Sequence, residues 1–232
     1  LRIFSRTLAP IDLNKIAERP VLVMTMDSAN FADSSVYNQP VVTYDQHKPA
    51  NNANSIRGTS LDPRSGANTS FVHVQGNSLL DLQDGSFTIS TWVYPTPSTS
   101  PTWQGIWGYR TNIEYDPHPN NDPYDENAYP TLERKGTQLR FGFGSGSTYE
   151  TLTPVDDALT ENQWNHVVVT FQPDGTGKFE MKLFVDAVLK ASKLFDFAPG
   201  VKTNNYGFYV GQSSTETRIR LYTLHMDEEH DG

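Results

Sequence analysis

Phe87-Thr88-Ile89-Ser90-Thr91-Trp92-Val93-Tyr94 decides how the rest of the chain is read. Phe87, Ile89 and Val93 alternate with Thr88, Ser90, Trp92 and Tyr94, so an extended backbone puts an apolar row on one face and a polar-aromatic row on the other. Trp164-Asn165-His166-Val167-Val168-Val169-Thr170-Phe171 starts with the same alternation and then becomes apolar on both faces, which favours a central strand. Working outward, Val21–Met26, Val41–Tyr44, Phe71–Val74, Gln104–Tyr109, Gln138–Phe143, Glu180–Val185, Ala187–Lys190, Phe208–Val210 and Arg218–Leu224 are short apolar or alternating runs bounded by Gly, Pro, Asn and Asp. They read as strands of an all-β, two-sheet antiparallel sandwich. Pro173-Asp174-Gly175-Thr176-Gly177 supplies residues tolerant of positive φ where a hairpin needs them. Asp186-Ala187 is a second reversal, with Ala where a two-residue turn prefers Gly, so a wider or strained turn is expected. Asn51–Asn68 and Tyr109–Lys135 are long polar stretches and read as loops.

Composition narrows the function. The 232 residues are enough for one large domain; 12% are aromatic and only 19% charged, a mix that favours sheet over coiled coil or disorder. The net charge of −9 repels phosphate backbones and anionic lipid, so nucleic acid is not an expected partner. With no Cys there is no disulfide, thiolate nucleophile or Cys-ligated metal. No apolar run is long enough for a membrane helix, and the start Leu1-Arg2-Ile3-Phe4-Ser5-Arg6 has neither Met nor a signal-type stretch, so the chain reads as a piece of a longer one with no membrane insertion.

One helix is predicted. Leu8, Ile11, Leu13 and Ile16 share a face, with Pro10 near the start and Pro20 after the end. Leu1-Arg2-Ile3-Phe4-Ser5 also follows the same pattern as Ile219-Arg220-Leu221-Tyr222-Thr223. Residues 1–19 therefore read as a closing strand and helix, on one reading those of a preceding repeat, and residues 20–232 as the domain itself, with chance likeness of two amphipathic strands as the alternative.

Five segments in order carry a resemblance: Phe87–Val93, Gln163–Phe171, Lys182-Leu183-Phe184-Val185-Asp186, Tyr209-Val210-Gly211-Gln212 and Ile219-Arg220-Leu221-Tyr222. Together they resemble the core motifs of concanavalin A-like, laminin-G-like jelly-roll domains over residues 20–226, and Leu1–Ala17 resembles that family's usual ending. The resemblance implies two stacked antiparallel sheets that bind glycans or proteins at a concave face or loop rim, often beside calcium. In its early segment the family can use an acidic residue after the first strand as a calcium ligand, which makes Asp27, Asp33 and Asn38 the metal candidates here. Turn formation by Asp33-Ser34-Ser35 is the competing reading. The family's acidic pair before the final strand is replaced by Thr217-Arg218, which removes a ligand and installs a cation.

Catalysis finds little footing. Related hydrolases set paired carboxylates on one strand about 5–5.5 Å apart for retention. Glu114-Tyr115-Asp116 comes nearest, but Pro117 and Pro119 follow at once and no second Glu takes the alternating position. Neither Gly-x-Ser-x-Gly nor His-Glu-x-x-His occurs, and the six His residues have no ligand spacing. The segment from Tyr109 to Tyr129 offers amides, carboxylates and aromatic rings together: Tyr109, Arg110, Asn112, Glu114, Tyr115, Asp116, Asn120, Asn121 and Tyr124 are the ligand-binding candidates. Sugars present hydroxyls that both donate and accept plus apolar C–H faces, and this set meets both demands. Its Asn and Asp would equally suit a solvated insertion, and Asp116, Asp122, Asp125 and Glu126 form an alternative cation site. Trp107 reads as core and His166 as a packed strand histidine. The expectation is a non-catalytic, carbohydrate- or surface-ligand-binding adhesion module, extracellular or at the cell surface, with a glycan or matrix partner. A structural repeat that joins neighbouring repeats or subunits is the alternative, and a polysaccharide hydrolase comes third.

Overall fold

The computed structural model describes residues 2–4, 22–24, 32–35, 37–38, 40–42, 50–52, 60–62, 72–75, 86–97, 103–109, 130–144, 149–152, 154–197, 208–211 and 222–225. Sixteen strands follow one another among the described residues: β1 (Arg2–Phe4), β2 (Leu22–Val23), β3 (Val41–Val42), β4 (Ala50–Asn52), β5 (Ser60–Asp62), β6 (Val72–Val74), β7 (Phe87–Pro95), β8 (Gln104–Tyr109), β9 (Thr131–Lys135), β10 (Gln138–Gly144), β11 (Tyr149–Thr151), β12 (Asn165–Pro173), β13 (Phe179–Val185), β14 (Val188–Phe195), β15 (Phe208–Val210) and β16 (Tyr222–His225). No helix occurs among the described residues, and the segment Leu8–Ile16 read as helical lies outside them.

The strands form two antiparallel sheets. One runs β14-β13-β12-β7-β16-β5-β4, with β1 on β7 and β2 on β1; the other runs β11-β10-β9-β8-β15-β6-β3. The alternation in the deciding segment is obeyed from Ile89 on: Phe87, Ile89 and Val93 are buried while Ser90, Trp92 and Tyr94 are half-buried on the opposite face, where Thr88 alone is buried. β12 lies between β7 and β13, the central position expected of it, with Val167, Val169 and Phe171 buried and His166, Val168 and Thr170 half-buried on the opposite face. Facing strands fill the space between the sheets with rings. Phe87 meets Phe141 at 6.3 Å between centroids, and Phe143 meets Phe171 edge-on at 5.1 Å, so the core sits between β7–β12 on one side and β10 on the other. Trp107 belongs to this core, as its apolar neighbours predict.

Three expectations need correction. The polar stretch Asn51–Asn68 contains β5 and most of β4, paired Asn51 to Leu61, and the stretch to Lys135 ends in β9. Short polar strands gain their identity from neighbours, not from their own pattern. The Ala187–Lys190 run extends to Phe195 because β13 offers it a partner along its whole length, with a bulge at Leu183/Phe184. Of the two readings of Asp186-Ala187, the strained one holds and the wider one does not: it is a tight two-residue turn with φ 50° and 63°, the left-handed pair such a turn demands.

Candidate functional site

The chemistry-bearing part of the second sheet is its outer face. Residue 142 lies between the core residues Phe141 and Phe143, and residue 73 between Val72 and Val74, so both positions face away from the core. Register then carries one row across all seven strands: Thr151, Gly142, Thr131, Gly108, Tyr209, His73, Val42. Glycines at two central positions leave the sheet backbone there without side chains. A Cβ on Gly108 would stand 2.9 Å from Thr131 Cγ2, so a larger residue there would require the Thr131 side chain to shift.

The next row along the strands is Gly105, Glu133, Arg140. Arg140 Nε donates to Glu133 Oε2 at 2.6 Å, and the guanidinium carbon lies 4.1 Å from the centroid of the Trp103 ring. Glu133 is buried and Arg140 half-buried. The carboxylate thus fixes the guanidinium, and the guanidinium fixes the indole by a cation–π contact. A bulge in β8 between Gly105 and Trp107 lets Ile106 and Trp107 both enter the core while Gly105 and Gly108 stay outside. On the inner side, Arg134 is fully buried; its Nη2 donates to the Thr96 carbonyl at 2.8 Å and its Nε to Gln104 Oε1 at 3.3 Å, which ties β9 to the chain after β7.

The candidate ligand residues divide between the described and the undescribed. Tyr109 is the last residue of β8, opposite Phe208. Arg110, Asn112, Glu114, Tyr115, Asp116, Asn120, Asn121 and Tyr124 lie outside the described residues, as does Asp27. The connection that carries them leaves the sheet beside Gly108 and returns at Thr131, so it is rooted at the glycine row. Asp33 is buried and accepts from its own turn: Ser35 N–H reaches Oδ1 at 2.8 Å and the Ser35 hydroxyl reaches Oδ2 at 2.7 Å. Asn38 is exposed with φ 45°, and its N–H donates to the Ser35 carbonyl. Both are thus turn residues, and no group of three or more His, Cys, Asp or Glu able to hold a metal occurs among the described residues.

Sequence reasoning missed Glu133 and Arg140. The usable signal was Thr131/Glu133/Lys135 alternating against Leu132, but the inward Arg134 disguises the period. His166 packs as expected, stacked on Trp92 with centroids 4.7 Å apart and its Nε2 hydrogen-bonded to Ser90 Oγ at 2.7 Å.

The fold agrees with those of solved proteins. A chain of botulinum neurotoxin type C, whose cell entry depends on interaction with two ganglioside molecules, superposes with TM-score 0.61 at 17% identity over 93% of this chain. Only 50% of that toxin chain is covered, so this chain spans about half its length. Domain 4 of AbnA, a GH43 extracellular arabinanase from Geobacillus stearothermophilus, solved with arabinotriose, gives TM-score 0.59 at 13% identity, covering 88% of each chain. An endo-β-1,4-glucuronan lyase from the fungus Trichoderma reesei gives 0.53 at 12% identity, covering 81% of this chain and 88% of its own. These likenesses establish fold alone. No curated protein sequence matches. The family profile of laminin-G-like domains matches residues 66–224, from before β6 to within β16, and on that match the chain belongs to the concanavalin A-like lectin/glucanase superfamily.

Proposed function

We propose that this chain is a non-catalytic module that binds a glycan, or another surface ligand, for an extracellular protein. The observation that carries the reading is the Trp103–Arg140–Glu133 stack on the outer face of the second sheet, beside the row Gly142–Thr131–Gly108. A sugar ring needs an aromatic surface and polar partners for its hydroxyls, and an indole braced by a guanidinium is suited to both. The toxin's gangliosides and the arabinanase domain's arabinotriose support ligand binding on this fold in general terms. Against bond cleavage stands the occupation of Glu133: its register partners are Gly105 and Arg140, and Arg140 holds its carboxylate. The reading requires no calcium; Asp33 accepts from Ser35 through both oxygens within its own turn, and a carboxylate oxygen can accept more than one such bond.

Titration calorimetry against a panel of neutral and sialylated oligosaccharides tests the reading. A ligand whose affinity falls about ten-fold or more in Trp103→Ala and in Asn112→Ala/Tyr115→Ala supports it, since a stacked ring and a hydroxyl pair each contribute on the order of 1–2 kcal/mol. A folded protein that binds nothing across the panel would defeat it. Turnover of a polysaccharide that vanishes in Glu114→Gln would replace it with the hydrolase reading.

A further inference from the structure

Arg140 stands on the outer face of β10, between the core residues Leu139 and Phe141. Two neighbours hold its guanidinium. Glu133, its register partner on β9, accepts from Nε at 2.6 Å, and the guanidinium carbon lies over the Trp103 ring, 4.1 Å from the centroid. Glu133 is nearly sealed, with 4% of its side chain exposed, whereas 22% of the Arg140 side chain stays exposed. Among the described residues neither Nη1 nor Nη2 of Arg140 has a protein acceptor. The far end of the guanidinium therefore presents its remaining N–H groups in one plane, unspent and already oriented.

We propose that Arg140 reads the ligand: its Nη fork donates to two adjacent hydroxyl oxygens of a sugar, and its pairing with Glu133 selects an uncharged sugar. This assignment rests on the glycan reading above and names the class of sugar that the site takes. A fork of parallel N–H groups fits two neighbouring oxygens, whether of a carboxylate or of vicinal hydroxyls. Charge decides between them. The guanidinium is already matched by a carboxylate at 2.6 Å, so a second carboxylate would face Glu133 across Arg140 where burial screens like charges least. Hydroxyls accept from the fork without that repulsion. Order favours the same partner. A loose surface arginine must be immobilised by its ligand at a cost in side-chain entropy; Glu133 and Trp103 have immobilised this one beforehand, so the weaker acceptors of a neutral sugar suffice. Glu133 is then a positioning residue, which acts on the ligand only through Arg140.

The test is titration calorimetry with trisaccharides ending in galactose, mannose or glucose, each beside its uronate-terminated and its 3-deoxy-terminated counterpart. Loss of the 3-hydroxyl leaves the terminal ring without any vicinal pair. At 0.15 M salt the Debye length of about 8 Å screens remote charges and leaves the local pair in play. At least one neutral trisaccharide is expected to bind, with affinity about ten-fold higher than its uronate and its 3-deoxy counterparts and about ten-fold higher than in Arg140→Lys, which keeps the charge and loses the fork. Glu133→Gln keeps the shape and removes the carboxylate charge, so the preference for the neutral sugar over its uronate should fall about ten-fold, a readout that a merely structural role would leave unmoved. The uronate and 3-deoxy arms use the native chain and decide the matter if Glu133→Gln does not fold. A uronate or 3-deoxy ligand that binds the native chain as tightly as the neutral parent overturns the assignment. So does a neutral ligand weakened in Trp103→Ala but not in Arg140→Lys, or an unchanged preference in folded Glu133→Gln; in each case the glycan reading stands. Binding of none of the sugars overturns both.

Discussion

Phe171 shows how single residues hold the sandwich. Its ring stacks on Phe87 at 5.3 Å and on Phe179 at 5.4 Å, meets Phe143 edge-on, and is fully buried. Phe171→Ala removes those contacts and opens a cavity, so a loss of about 3–5 kcal/mol is expected, read as a lower denaturant midpoint at unchanged m. Ala187 predicts the opposite sign. At φ 63° its Cβ costs about 1–2 kcal/mol, whereas Gly adds about 0.5–1 kcal/mol of chain entropy in the unfolded state. Ala187→Gly is therefore expected to stabilise by about 0.5–1 kcal/mol, a rise of a few degrees in Tm by calorimetry. Residues like Trp107 were legible because their neighbours are apolar. Glu133 and Arg140 were not, because their value comes from each other across a strand pair.

At the scale of elements, the turn after β12 is held by one carboxylate. Asp174 Oδ2 accepts the Thr176 hydroxyl at 2.7 Å, and Oδ1 accepts the N–H groups of Thr176 and Lys178 at 2.8 and 3.1 Å. The Thr176 hydroxyl, then its N–H, holds the carboxyl below its ordinary value of 3.8. A depressed folded-state value means the contribution is full above the ordinary carboxylate range and is lost as pH falls through the lowered value. The Tm advantage of the native chain over Asp174→Ala should accordingly be constant near neutrality and shrink below about pH 4. A gap that stays flat down to pH 2 would contradict this.

The sheet edges tell a related story. β14 ends one sheet and β11 the other, and Lys193 Nζ donates to the Thr151 carbonyl at 3.1 Å, joining the edges. Lys193 is opposite the core residue Met181, so it is a charge pointed inward at an edge, a device that discourages further strand addition. Lys193→Ala should cost about 1 kcal/mol and speed amide exchange in β11. The long strands β7, β12 and β13 were readable from alternation. β4, β5, β9 and β11 were not: Ala50-Asn51-Asn52 and Ser60-Leu61-Asp62 are strands only because they pair with one another and β5 with β16.

Over the whole molecule, the net charge of −9 bears on the proposed glycan binding through its long-range field. A polyanionic glycan of equal length should bind more weakly than a neutral one at low salt, and the gap should narrow as ionic strength shortens the Debye length from about 30 Å at 0.01 M to about 8 Å at 0.15 M. Equal affinities at low salt would place the site beyond the reach of the global field. The residues themselves determined the class of fold, because period-two alternation and turn chemistry are local properties that every strand must satisfy for itself. They also marked the segment from Tyr109 to Tyr129 as chemically rich. Only the tertiary structure decided that Gly108, Thr131 and Gly142 share a row, that Arg140 braces Trp103, and that Arg2 and His225 meet along one strand. Those relations join residues far apart in the chain through cross-strand register, which no reading of one strand at a time contains.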